Sequence, residues 1–374
     1  MLTAETRRQD FPSLQSMTYL NTAAECIPPT CVHEALLAYW ADKVRGMKGR
    51  DTHLARLEEC REIAARMIHR LPSEVSFCSC SAEAYNLLAT ALNLQPEDEV
   101  IINDLDFPSG ATPWLSNACQ VKIWKSRNSA LLIDDLLPLL NERTRLAQTS
   151  LVSFVNGHRL DWGPFRDAVR NRAPQALISV DVTQALGRVA LDCHDADCII
   201  SSTHKWVLGI HGGCIVGIPQ AQAERLTARA GGWFHLTNAF EADRFERVVP
   251  RKGAPSFSVG MPNFAAIYAL NASLRYLDAI GIENIARHAD PLVEKVQQGL
   301  FDLGLKPMTP PQPARSGIVA FTHPRNVAIH AGLESANIHV MHSAGRIRIS
   351  LHGYNTAEDV DEILKTMRKI LRSG

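Results

Sequence analysis

Apolar positions along the chain follow two patterns. Over residues 52–71, THLARLEECREIAARMIHRL, the residues Leu54, Leu57, Ile63, Ala64, Met67 and Ile68 fall near one face at helical spacing. Short continuous apolar runs then follow: EVSFCSC, EVIIND, VKIWK, LAQTSLVSFV, ALISVDV, DCIISS and GGCIVGI, with a helical AYNLLATALNL after the first. Strands apolar on both faces need helices on both sides, which predicts a mostly parallel, fully covered sheet. Past residue 250 the pattern changes to two long helices, 262–281 and 283–304. GIVAFTH, a helical AIHAGLESAN, IHVM, RIRISL and a last helix, TAEDVDEILKTMRKILR, complete the chain. The expected architecture is α/β: a large domain over residues 20–255, and a smaller α+β domain from residues 1–19 and 256–374. The proline-rich MTPPQPARSG is a connection within the second.

Composition narrows the class. With 374 residues the chain can bury a substantial core. Its 39 Lys and Arg balance 39 Asp and Glu, so no global positive field is available to hold nucleic acid or an anionic membrane. A hydrophobic fraction of 46% with 21% charged residues argues against disorder. The start, MLTAETRRQDFPSLQS, lacks the apolar run of a signal peptide, and no stretch reaches the roughly 20 apolar residues of a membrane span. Nine cysteines, an odd number without a Cys-x-x-Cys pair, fit reduced thiols in a cytoplasmic protein without a metal site.

Candidate chemistry concentrates in residues 179–214. One strand ends in Asp181, with Gln184 just beyond, and another ends in Ser202-Thr203-His204-Lys205. In a parallel sheet, strand ends that follow crossovers converge on one rim, where ligands bind. A carboxylate and a lysine there suit pyridoxal 5'-phosphate, which needs an amine for its aldehyde, an acid facing its ring nitrogen and a phosphate cradle.

These stretches, in order over nearly the whole chain, resemble the fold-type I pyridoxal-phosphate enzymes of the aminotransferase class V superfamily. That group holds cysteine desulfurases, isopenicillin N epimerase-like proteins, kynureninase-like hydrolases, lyases and transaminases. The resemblance implies a seven-stranded-type sheet and a homodimer with its active site near the subunit interface. It makes Lys205 the Schiff-base lysine, Asp181 the partner of the pyridine nitrogen and Gln184 the ligand of the ring hydroxyl oxygen. Asn156, in SFVNGHRLD, matches the family's asparagine near the ring; His158 and Arg159 on the same loop face either substrate or surface. In FCSCSAEAYNLL, Ser81 and Ala82 fall on the two hydroxyl positions of the phosphate turn. Ala82 lacks the hydroxyl, and backbone N–H groups at the helix start remain. Ser202 and His204 match further phosphate contacts. Phe107, in LDFPSGATPW, stands where many relatives carry the histidine that covers the ring. It can stack but not transfer a proton, which leaves acid–base work to Lys205.

In GRIRISLHGYNTAEDVDEIL, Arg348 matches the arginine that binds the substrate α-carboxylate, with Arg346 on the same strand face as the alternative. In GMPNFAA, Met261 replaces a threonine that reaches the partner's phosphate in dimeric relatives, and Ser258 or a backbone N–H are candidate replacements. Desulfurases carry a nucleophilic cysteine in the loop before that arginine; here HAGLESANIHVMHSAG has none. The resemblance therefore implies an enzyme acting on a small-molecule α-amino acid, through a Schiff base with the cofactor and a Cα carbanion. Aminotransferase is the leading expectation, β-elimination (C–S or other lyase) or epimerisation the alternatives, and desulfuration is disfavoured.

Overall fold

The computed structural model describes residues 1–310 and 316–372. Seven strands form one sheet in the order Val75–Cys78, Cys214–Gly217, Cys198–Ser202, Leu177–Asp181, Thr144–Ser150, Glu99–Asn103, Gln120–Trp124. Cys214–Gly217 runs antiparallel to both its neighbours, and the other pairings are parallel. Five of the continuous apolar runs become strands buried along their whole length, whereas VKIWK falls in the edge strand Gln120–Trp124, where only Trp124 is buried. Successive side chains point to opposite faces, so Ile101, Ile178 and Ile199 enter one core layer while Val100, Leu177 and Ile200 enter the other.

The run LAQTSLVSFV does not stay in the sheet. Its strand stops at Ser150, because Ser153 N–H bonds the His158 carbonyl and Val152 bridges Arg159. The chain folds back on itself there, and residues 151–155 become a loop at the sheet's rim.

A second lobe is built on a three-stranded antiparallel sheet, Met341–Ser343, Arg346–Ser350 and Ile318–Thr322. Ile347 and Ile349 pack with Val319, Phe321 and the helices Ile282–Asp302, Asn326–Ser335 and Ala357–Arg372. Arg346, Arg348 and Ser350 leave the opposite face, toward the large sheet. The N-terminal segment returns to this lobe, where Thr18–Tyr19 pairs with Ile338–His339 and Leu20 joins its core. Helix Phe264–Ile280, grouped by sequence pattern with this lobe, buries its apolar face against Thr30–Lys43 and Met47–Met67. The proline-rich connection falls partly on residues 311–315, outside the described residues. No helix among the described residues is long and apolar enough to cross a membrane.

Trp206 locks the two lobes around the strand end that carries Lys205. Its indole N–H donates to Gln184 Oε1 at 2.6 Å, its ring stacks on His352 at 5.7 Å, and its carbonyl accepts from His352 Nε2 at 2.8 Å. Gly187, at φ +92°, lies so close that a Cβ would sit 2.4 Å from the Trp206 carbonyl oxygen. Both the backbone conformation and the space exclude a side chain there. Gly187→Ala is therefore expected to destabilise the fold by about 2–4 kcal/mol, read as a lower urea midpoint. An unchanged midpoint would refute the close approach.

Candidate active site

A cavity of about 140 Å³ opens at the rim where the central strands end, and Ser81, Phe107, Asp181, Gln184, Ser202, His204 and Lys205 stand on its walls. The parallel register puts Asp181 opposite Ile200, so the strand ending at Ser202 delivers Lys205 to the same rim. The Asp181 carboxylate is held at both oxygens: Oδ1 accepts Thr183 N–H at 2.8 Å and Oδ2 accepts the Tyr85 hydroxyl at 3.0 Å. Gln148 Nε2 in turn donates to Tyr85 Oη at 3.2 Å. Burial, then the Asp181 charge, push the Tyr85 pKa well up and keep the phenol a donor. Sequence reasoning missed Tyr85, because in AYNLLATALNL it reads as one more core position of an amphipathic helix.

Burial lowers the Lys205 pKa; Asp181 opposes that shift and Arg348 adds to it. Lys205 Nζ lies 5.1 Å from the centre of the Phe107 ring, which is 43% exposed. Gln184 is fixed by two bonds, with Nε2 donating to the Ala23 carbonyl at 3.0 Å and Oε1 accepting from Trp206. Ser202 N–H donates to Thr183 Oγ1 at 2.9 Å. His204 stacks on His211 at 4.2 Å, and burial, with Lys205 and His211, brings its pKa down to about 4, so the ring is neutral.

Ser81 begins the helix Ser81–Leu92, with its hydroxyl 3.4 Å from that of Ser109. Ala82 is exposed and stands off the cavity wall, the following position in the helix having turned away. Met261 is exposed in a neighbouring hollow. The Ser258 hydroxyl donates to the Phe77 carbonyl at 3.0 Å and lies 2.7 Å from Ser76 Oγ, so it is already engaged.

Asn156 lies away from the cavity. It is fully buried, its Nδ2 donating to the Ser129 carbonyl at 2.7 Å and its Oδ1 accepting His158 N–H at 3.0 Å, so its amide holds the loop's shape. His158 Nε2 accepts Leu131 N–H at 3.2 Å and Arg159 pairs with Asp192 at 3.3 Å. The residue this loop brings to the cavity wall is Phe154. Its ring meets Phe107 edge to face at 5.1 Å, and its carbonyl accepts from Arg348 Nη1 at 2.7 Å. The sequence signal for Phe154 was masked, because an apolar residue continuing an apolar strand run carries no mark of the turn. Arg348 itself is buried behind Phe154, where burial and then the Arg346 charge lower its pKa to about 9. Among the described residues, no group of His, Cys, Asp and Glu side chains is arranged to hold a metal ion.

The model for the family "Aminotransferase class-V" matches residues 18–363. An uncharacterized aminotransferase of Bacillus subtilis (YcbU) is 25% identical, covering 98% of this chain and 99% of the relative. A cysteine desulfurase of Cronobacter sakazakii is 28% identical over 98% of this chain and 97% of its own. The apo structure of a cysteine desulfurase from Thermococcus onnurineus superposes with a TM-score of 0.89 at 22% identity, covering 100% of this chain and 99% of that one. The chain belongs to the class-V aminotransferase family, and it is a pyridoxal 5'-phosphate-dependent enzyme. The residues present fit that group: an amine and a carboxylate on one rim, serine hydroxyls beside a helix start, and a buried Arg348 whose Nε has no partner.

His158 gives the loop a pH dependence. Burial lowers its pKa from 6.5 to about 4, and its bond from Leu131 N–H needs an unprotonated Nε2. Below pH 6.5 the unfolded chain takes up a proton that the folded chain refuses, so this contribution to stability is lost as pH falls toward about 4. His158→Gln does not titrate and is expected to flatten that part of the Tm-against-pH curve. Parallel curves for the two proteins would show that the loop does not depend on it.

Proposed function

We propose that this enzyme is an aminotransferase acting on a small-molecule α-amino acid, with Lys205 moving the proton at Cα. What supports this is the single amine at the cavity. Lys205 is the one amine on its walls, Asp181 and His204 are the other titratable groups there, and Phe107 and Phe154 supply aromatic rings that carry no proton. Amino transfer needs one base that takes a proton from Cα and returns it nearby. Epimerisation by two bases needs a second proton carrier on the opposite side, and β-elimination gains from an acid at the leaving group.

Pyridoxal phosphate, when bound, supplies a ring that accepts the electron pair left at Cα. Asp181, anchored by Tyr85 and Thr183, holds a proton on the ring nitrogen. Ser81, Ser202, neutral His204 and the first N–H groups of helix Ser81–Leu92 hold the phosphate. Gln184 gives its second amide hydrogen to the ring oxygen. Arg348 grips the α-carboxylate through the part of its guanidinium not bound to Phe154, which sets the Cα bonds relative to the ring. Burial and the Arg348 charge favour the neutral amine of Lys205, the form able to take the Cα proton.

A desulfurase needs a mobile thiolate near that arginine. Here Met341–Ser343 and Arg346–Ser350 are joined by a tight turn, Ala344 and Gly345 both at positive φ, and no cysteine follows Cys214. The purified protein is expected to be yellow and to form keto acid from an amino acid only with an amino acceptor present. Lys205→Ala is expected to lose the Schiff-base absorbance and at least about 100-fold in turnover. Ammonia and keto acid without an acceptor, sulfide from cysteine, or inversion at Cα would each assign the enzyme elsewhere.

The same reading includes a homodimer in a reducing cytosol, which nine free thiols suit. Leu37, Trp40 and Val44 line one exposed side of helix Thr30–Lys43 and its end, with Trp40 65% exposed, an apolar stripe for a second copy. Sedimentation is expected to give twice the chain mass for the wild type and a monomer for Trp40→Glu. A monomeric wild type would refute it.

A further inference from the structure

Two arginines, Arg346 and Arg348, are buried on the second lobe's face toward the cavity. They alternate with Ile347 and Ile349 along one strand, so both side chains leave the same face, opposite the apolar core. Arg348 is 1% exposed and Arg346 8%. Both address Phe154 on the cavity wall: Arg348 at its carbonyl, and Arg346 with Cζ 5.6 Å from the centre of its ring. The Nε of each has no hydrogen-bond partner. Among the described residues no carboxylate pairs with either; burial lowers both pKa values, and the Arg346 charge lowers that of Arg348 further.

A buried cation is costly unless an anion pairs with it, and two close together repel as well. Residues two apart on a strand have Cα atoms about 6.8 Å apart. Forked guanidinium groups at that spacing can each take a carboxylate of one small molecule that carries two carboxylates a few bonds apart. Under the aminotransferase reading above, on which this step rests, Arg348 takes the α-carboxylate. We propose that Arg346 takes a second carboxylate at the far end of the side chain. The preferred amino donor is then a dicarboxylic α-amino acid, the acceptor a dicarboxylic keto acid, and the Phe154 ring packs on the methylenes between.

The test uses the purified holoenzyme with glutamate, aspartate and alanine as donors, and with glutarate, succinate and propionate as unreactive ligands. The better dicarboxylic donor is expected to exceed alanine at least about 100-fold in kcat/KM. Arg346→Gln is expected to erase that preference, costing the dicarboxylic donor about 100-fold while alanine stays within about threefold and the cofactor absorbance is unchanged. Glutarate or succinate is expected to raise the Tm of the wild type but not of Arg346→Gln, and propionate to raise neither. Arg346→Lys, which keeps the charge without the fork, is expected to retain part of the preference and serves if the glutamine variant does not fold.

A wild type that prefers alanine, or equal losses for alanine and dicarboxylic donors in the variant, would overturn the second carboxylate site while leaving amino transfer intact. Dicarboxylate stabilisation that depends on Arg346, with no transfer from any donor, would keep the site and remove the aminotransferase reading. Loss of both stabilisation and preference in the wild type would remove the site.

Discussion

The parallel pairing of Leu177–Asp181 with Cys198–Ser202 is the constraint on which the rest of the site depends. With Asp181 beside Ile200, a carboxylate and, a few residues past the next strand's end, a lysine reach one rim of one sheet. Shifting that register by one residue would turn Asp181 into the opposite layer, because side chains alternate. Burial of both strands on both faces fixes the register: Val180 and Ile199 belong to one core layer, Leu177, Cys198 and Ile200 to the other. The hydrophobic core thus does for the site what no single hydrogen bond does.

Around that rim the charges are unequal. Asp181 is the one carboxylate on the cavity wall, while Lys205 stands there and Arg348 and Arg346 lie just behind Phe154. Each cation is partly stripped of water, so each is pushed toward its neutral form; Arg348 pushes Lys205 further, and Arg346 pushes Arg348. The arrangement lowers the cost of an unprotonated lysine and raises the attraction for an anion. Two phenylalanine rings, Phe107 and Phe154, meet edge to face on that wall and give it an apolar surface.

The second lobe matters because its strand Arg346–Ser350 delivers the arginines, and its seating on the large sheet is not left to surface contacts. Trp206 bonds to Gln184 on one side and His352 on the other. Fully buried Arg188 joins Asp290 at 2.7 Å and the Leu351 carbonyl at 3.1 Å. Lys205 therefore sits next to a residue clamped between both lobes, so any shift of one lobe is felt at the amine.

The sequence by itself determined the layered α/β architecture, since most of the continuous apolar runs form strands buried on both faces. It also determined the rim that carries Asp181, Gln184, Ser202, His204 and Lys205, because in these two strands the end falls where the apolar run stops. Ser81 and Phe107 were legible only through the resemblance to the family, each at a turn into a helix. What the tertiary structure alone decided were the residues placed by a departure from local pattern. Phe154 reached the wall, and Asn156 was drawn into the loop, because the strand ended at Ser150 and the chain folded back, Ser153 N–H donating to the His158 carbonyl in a bond that no periodicity encodes. Tyr85 became an anchor of Asp181 only when its helix packed beneath the sheet. That Arg346 and Arg348 lie buried without an anion depends on how two lobes close. Composition counts charges, but only the fold decides which of them lose their water.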